Sequence, residues 1–214
     1  MCLEGLRTSW PAKGPPVQIY PTPSELYRRA IASWPPADHW DNASLLVRRI
    51  EAQHLTGTAP LPRPGHRLAT TWVRTLHRHE QFWRDHLQSP REKTRNRAML
   101  PSAERLLGEW ARRQRRTRHL LSGYQVLRLG VSPSFAWDLR ERAWISNYDA
   151  CHRHLRKTGT LPSLAGASPE QFALARWLGR QLHARKDGTL APDRAALLQM
   201  LITDSQLFHD CPPR

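Results

Sequence analysis

A chain of 214 residues with 39% hydrophobic and 24% charged residues has material for one domain or several small ones, and too little for one large core. Its 33 Lys and Arg against 18 Asp and Glu leave a formal charge of +15, a basic excess that points to a polyanionic partner through phosphate contacts. Three scattered cysteines match neither a disulfide framework nor a zinc pattern, and the longest apolar run, 197–202, is far too short to span a bilayer.

The first residues, MCLEGLRTSW, have no apolar signal core, so a cytoplasmic location is the expectation. Residues 1–40 contain seven prolines and carry four basic against three acidic groups, which leaves +14 for the remaining chain. Proline blocks helix interiors and central strands. These residues therefore read as an extended arm with at most a short helix near 24–33, free to lie along a groove or to meet a partner. From residue 41 onward amphipathic stretches alternate with Pro/Gly turns and period-two runs are absent, so the fold class is all-α.

A repeat organises the rest. Trp83 and Trp144 are each followed 18 residues later by the proline of a Leu-Pro pair, Pro101 and Pro162. A helix with Leu107, Gly108, Trp110 and Gln114, or with Leu174, Ala175, Trp177 and Gln181, comes next. Residues 54–72 echo 155–177 through Thr-Gly-Thr-x-Pro and a Leu-Ala pair before Trp72, so a degenerate copy precedes the other two. The expected units are 41–82, 83–140 and 141–204, with 205–214 as a tail. In the two clear units a first helix starts near Trp83 or Trp144, a second carries the Trp and Gln, and a short third closes a three-helix bundle. Ser122 fits an N-cap and Gly130 a stop in the middle unit, and Pro192 and Asp193 suit a helix start in the last.

The series Trp144, Gly159-x-Leu-Pro162, Leu174-Ala-x-Trp177-x3-Gln181, Gly188-x-Leu190 and Asp193-Arg194 resembles the helicase-associated domain. The middle copy is similar through Leu107-Gly108-x-Trp110-x3-Gln114-Arg115, Leu129-Gly130 and Phe135-x-Trp137. The resemblance implies a small three-helix module, used in tandem, that binds nucleic acid and supplies no catalytic residue. The last copy departs from the pattern at its end, which runs MLITDSQLF, and the first has Leu76 where the others have Gln.

Helical geometry at about 100° per residue divides each second helix into two faces. Leu107, Trp110, Ala111 and Gln114 group on one face; Arg105, Glu109, Arg112 and Arg116 lie opposite. In the last copy Leu174, Trp177, Leu178 and Gln181 group together, with Arg176 and His183 opposite and Arg180 on the shoulder. The Trp residues are thus expected to pack, and each Gln to tie its amide to a backbone group at a turn. Residues 91–118 hold ten basic and three acidic groups, an imbalance that calls for a counter-charge. The candidate nucleic-acid contacts are Arg91, Lys93, Arg95, Arg97, Arg105, Arg112, Arg113, Arg115 and Arg116, continued by Arg176, Arg180, Arg185 and Lys186, because arginine's fork suits phosphate oxygens and guanine edges.

No catalytic, metal or cofactor site is expected. Phosphate-binding glycine loops, HExxH and GxSxG are absent. His77/His79 and His152/His154 are two residues apart, hence on divergent sides of a helix, and all histidines are expected at the surface. The Asp204, His209 and Asp210 set falls in the expected tail. The expected function is non-enzymatic binding of double-stranded DNA ahead of RNA, in plasmid or phage replication or in transcriptional regulation. The alternative is a protein-interaction module whose basic faces bind an acidic partner such as a helicase or nuclease, with Trp10, Trp34 and Trp40 contributing an exposed apolar patch.

Overall fold

The computed structural model of the protein describes residues 20–34, 41–58, 66–92, 97–165 and 168–210. Among them are eight α-helices and no strand: α1 Pro23–Ala32, α2 Asn42–Leu55, α3 His66–His86, α4 Ser102–Arg116, α5 Gly123–Gly130, α6 Leu139–Thr158, α7 Pro169–Lys186 and α8 Pro192–Asp210. None of the described helices is long and apolar enough to cross a membrane. The described residues fall into two compact units that part between Trp137 and Asp138.

Side chains that satisfy free amides set the helix starts. Thr22 and Glu25 form a reciprocal capping box on α1, and Ser122 and Gln125 form one on α5. Asp41, Asp138 and Ser168 accept hydrogen bonds from the first-turn amides of α2, α6 and α7. α6 ends on Gly159 at φ 74°, a left-handed cap that glycine reaches without strain. Gly130 is the last residue of α5, as its sequence position suggests, although the cap itself is Val131 in right-handed geometry.

The first unit comprises α1–α5. Ala30, Val47, Ile50, Trp72, Val73, Leu76, Trp110, Tyr124, Leu129 and Phe135 form its core, with Trp34 half-buried against it. α1 lies where a short helix near 24–33 is expected, but it is packed and not part of an extended arm: Leu26 and Ala30 bury one face of it against the bundle. Residues 1–19 and 35–40, with Trp10 and Trp40, lie outside the described residues. The expected helix start at Trp83 is displaced as well. α3 begins at His66 and runs unbroken through the expected 82/83 boundary; its buried stripe Ala69, Trp72, Val73, Leu76, His79 and Glu80 is continued at helical spacing by the half-buried Trp83.

The second unit comprises α6–α8 around Trp144, Cys151, Leu155, Trp177, Leu178, Leu198 and Leu201. α6 starts at Leu139, five residues before Trp144, and the closing helix is not short: α8 holds 19 residues and runs to Asp210, through most of the expected 205–214 tail. Cys151 is fully buried, and burial pushes its thiol up to about 12.

Candidate nucleic-acid interface

One hydrogen bond recurs in both units and fixes the orientation of the arginine-bearing helices. Trp72 on α3 donates its indole N–H to Gln114 Oε1 on α4 at 2.9 Å, and Trp144 on α6 donates to Gln181 Oε1 on α7 at 2.9 Å. The partner of each Gln is thus the indole of the preceding helix, and not the turn backbone that the sequence suggests. An amide oxygen on the core face is satisfied by the nearest donor, and here a Trp faces it. Trp72, and not Trp83, is bonded to Gln114 as Trp144 is to Gln181. The second Trp of each pair packs alongside, with ring centroids 6.3 Å apart for Trp72–Trp110 and 5.7 Å for Trp144–Trp177.

With Leu107, Trp110, Ala111 and Gln114 buried, α4 turns Arg112, Arg113 and Arg116 to solvent and leaves Arg105 half-exposed. None of these four has an acidic partner among the described residues. A groove of about 470 Å³ runs along this helix, lined by Leu106, Glu109, Trp110, Arg112, Arg113 and Arg116.

Two other candidates are engaged inside the unit. Arg91 forks onto the buried Glu104, with Nε to Oε1 at 2.8 Å and Nη2 to Oε2 at 3.1 Å. The Arg91 hydrogen bond holds the Glu104 carboxyl below its ordinary range, against a smaller upward push from burial. The chain reaches this position by crossing α4 at Gly108, where a Cβ would collide with the Arg91 carbonyl oxygen. Arg115 pairs with Glu92, donates to the Ala136 carbonyl at 2.7 Å and lies 5.1 Å from the Phe135 ring centroid. Its side chain is only 15% exposed. Lys93 and Arg95 lie outside the described residues, and Arg97 opens a short 3-10 turn, Arg97–Met99.

In the second unit Arg176 and Arg180 are exposed on α7, and Arg176 stands 5.9 Å from the Phe172 ring centroid. Arg185 is half-buried and donates to Gln199, and Lys186 is exposed in the last turn. Further cations were not among the candidates. Arg67, Arg74 and Arg78 are exposed on α3, and their spacing of seven and four residues puts them on one edge of the helix. Arg153 and Lys157 are exposed on α6. The signal was present as spacing, but these groups are scattered among histidines and do not form a run.

A polar cluster lies in the interior of the first unit. Arg128 on α5 donates from Nε to Glu51 at 2.9 Å and forks onto Glu80 at 2.8 and 3.0 Å. Tyr124 Oη donates to Glu51 at 2.7 Å, Ser132 Oγ donates to Glu80 at 2.7 Å, and His77 Nε2 lies 2.9 Å from Glu51. Burial is the largest influence on Glu51 and pushes its carboxyl up; His77, Arg128 and Tyr124 together outweigh it and hold the group below its ordinary value. Two carboxylates with His and Tyr have the composition of an acid–base site, yet Glu51 and Arg128 have no exposed side-chain surface. The cluster joins α2, α3 and α5. The expectation that every histidine lies at the surface fails at His79, which is buried with Nδ1 2.9 Å from Ser134 Oγ and its ring beside Trp110. Its place on the α3 core stripe buries it, and the serine satisfies its polar edge.

Comparison of the chain with protein-family models, with curated proteins and with solved structures gives no match in any of the three.

Proposed function

We propose that the protein binds nucleic acid without catalysis, double-stranded DNA ahead of RNA, through cations that its folding does not use. The observation that carries this reading is the division of labour on and around α4. Arg91 and Arg115 are held by Glu104 and Glu92, whereas Arg112, Arg113 and Arg116 face solvent with no acidic partner among the described residues. Three such guanidinium groups within two turns repel one another until a counter-charge arrives, and phosphate oxygens match their forked donors. We further propose that α3–α5 and α6–α8 are two copies of one three-helix module of the helicase-associated type, since each joins its first two helices by the same Trp–Gln bond.

Binding of a labelled duplex, followed by fluorescence anisotropy over graded salt, tests the reading. The affinity is expected to fall linearly on a log–log plot, and R112A/R113A/R116A is expected to reduce the slope by about 3, at roughly 0.9 for each phosphate no longer neutralised. Absence of binding at low salt, or a folded triple variant that binds with the wild-type slope, overturns it.

A second reading is favoured by an apolar groove of about 470 Å³ between α2, α3 and α4, walled by Leu46, Leu68, Trp72, Leu120 and Leu121 with Arg113 at its edge. Leu68 and Leu120 are 80% and 72% exposed. An acidic amphipathic partner fits such a surface. Co-purification of a protein partner that survives nuclease treatment and is abolished by L68S/L120S supports this reading over the first.

A further inference from the structure

The second unit has its own cleft, of about 750 Å³, between α6 and α7. Asn147, Arg153, His154 and Lys157 line it from α6, and Trp177 and Arg180 from α7. On α6, positions 147, 150, 154 and 157 follow one another at three- and four-residue steps beside the buried face of Trp144, Cys151 and Leu155. On α7, positions 173, 177 and 180 do the same. Ala150, Ala173, Leu174 and Trp177 contribute apolar surface to its lining, and Arg153, Lys157 and Arg180 contribute cations.

Arg153, Lys157 and Arg180 are exposed and have no acidic partner among the described residues. Glu170 is the one acidic residue among those lining the cleft. Neighbouring cations of the same unit are engaged elsewhere, Arg194 with Glu141 and Arg185 with Gln199.

The α4 groove and this cleft share three aligned lining positions, Trp110 with Trp177 among them. When the two helices are aligned on Trp110 and Trp177, Leu106 falls on Ala173 and Arg113 on Arg180, and both sets line the respective depressions. The arginine three residues after the buried Trp is thus common to both units, and Arg118 aligns with Arg185, whereas Arg105, Arg112, Arg115 and Arg116 fall on Phe172, Gly179, Leu182 and His183. A lining that mixes point and forked cations with apolar side chains suits a backbone in which anionic phosphates alternate with the apolar faces of sugars.

We infer that the α6–α7 cleft is a second phosphodiester-binding site, in which Arg153, Lys157 and Arg180 hold the nucleic-acid backbone. The inference rests on the nucleic-acid reading above and adds a site to it: each unit contributes one contact surface, and the chain binds a polyanion at two places.

The test uses the full chain and a fluorescein-labelled duplex of about 20 base pairs, titrated over graded salt. R153A/K157A/R180A is expected to weaken binding about tenfold or more at low salt and to lower the salt slope by about 2–3. The charge-retaining R153K/R180K is expected to keep the wild-type slope, since a point charge still neutralises a phosphate. Helical circular dichroism and protection of Cys151 from alkylation report whether the alanine variant is folded; if it is not, single alanine variants at the three positions replace it, each expected to lower the slope by about 1. Wild-type protein that binds duplex in an α4-dependent way while the cleft variants keep wild-type affinity and slope overturns this inference and leaves the first reading standing. Wild-type protein that binds no duplex overturns both. Polyglutamate that competes as well as DNA, with the same dependence on the three cations, assigns the cleft to an acidic protein and overturns the phosphodiester site.

Discussion

At Gln114 and Gln181 the same side chain does the same work in two surroundings. Each accepts a hydrogen bond from an indole N–H at 2.9 Å, but the Trp72–Gln114 bond is buried and the Trp144–Gln181 bond is part-buried. Removing an acceptor strands a donor, and the penalty grows with the donor's isolation from water. Q114L is therefore expected to destabilise its unit by about 1–3 kcal/mol, and Q181L by less, since water can reach the freed indole. Thermal unfolding followed by circular dichroism checks the order; equal losses would place both bonds in the same environment. The sequence showed these glutamines on the core face but not their partners, since the donor comes from another helix 42 or 37 residues earlier.

At the scale of the helix, α4 is shaped by what crosses it. Gly108 is buried where the Arg91 backbone passes, and any Cβ there meets the Arg91 carbonyl oxygen. The corresponding residue of α7 is Ala175, also buried, which shows that the second unit accommodates a methyl at this place. G108A is expected to cost about 1–3 kcal/mol despite alanine's better helix propensity, because the crossing segment must move. The displaced segment carries Arg91 and Glu92, so the ion pairs with Glu104 and Arg115 weaken with it. A melting temperature at or above wild type would show that the crossing yields freely. The Leu-Gly-x-Trp against Leu-Ala-x-Trp difference was legible as a difference between the two helices, but not as a consequence of packing.

At the scale of the whole molecule, two cores sit on either side of Trp137 and Asp138, and each has its own polar or sulfur-bearing centre. The first unit contains Arg128 between two buried glutamates; the second contains the buried Cys151. Removing the cation from a buried pair leaves uncompensated carboxylates, so R128M is expected to destabilise the first unit by about 3–5 kcal/mol. Units with separate cores can unfold separately. In R128M, at a denaturant concentration that has abolished the Trp72–Gln114 environment, Cys151 is expected to stay protected from alkylation, as read by mass spectrometry of its peptide. Loss of protection in the same transition would make the chain one cooperative body.

Composition and periodicity alone determined that the chain is helical and basic, that Trp110 and Trp177 face a core, and that Arg112 and Arg116 lie on the pole opposite it. Those properties depend on residues within a few turns of one helix, where spacing translates directly into direction. Tertiary structure decided which arginines are engaged and which are exposed. Arg91 and Arg115 belong to the same basic run as Arg113 and Arg116, yet Glu104 and Glu92 capture the first two. It also decided that Trp72, and not Trp83, is bonded to Gln114 and that Glu51, Glu80 and Arg128 meet in the interior. A charged residue's role depends on its neighbour in space, and that neighbour is brought by a helix whose distance along the chain carries no period.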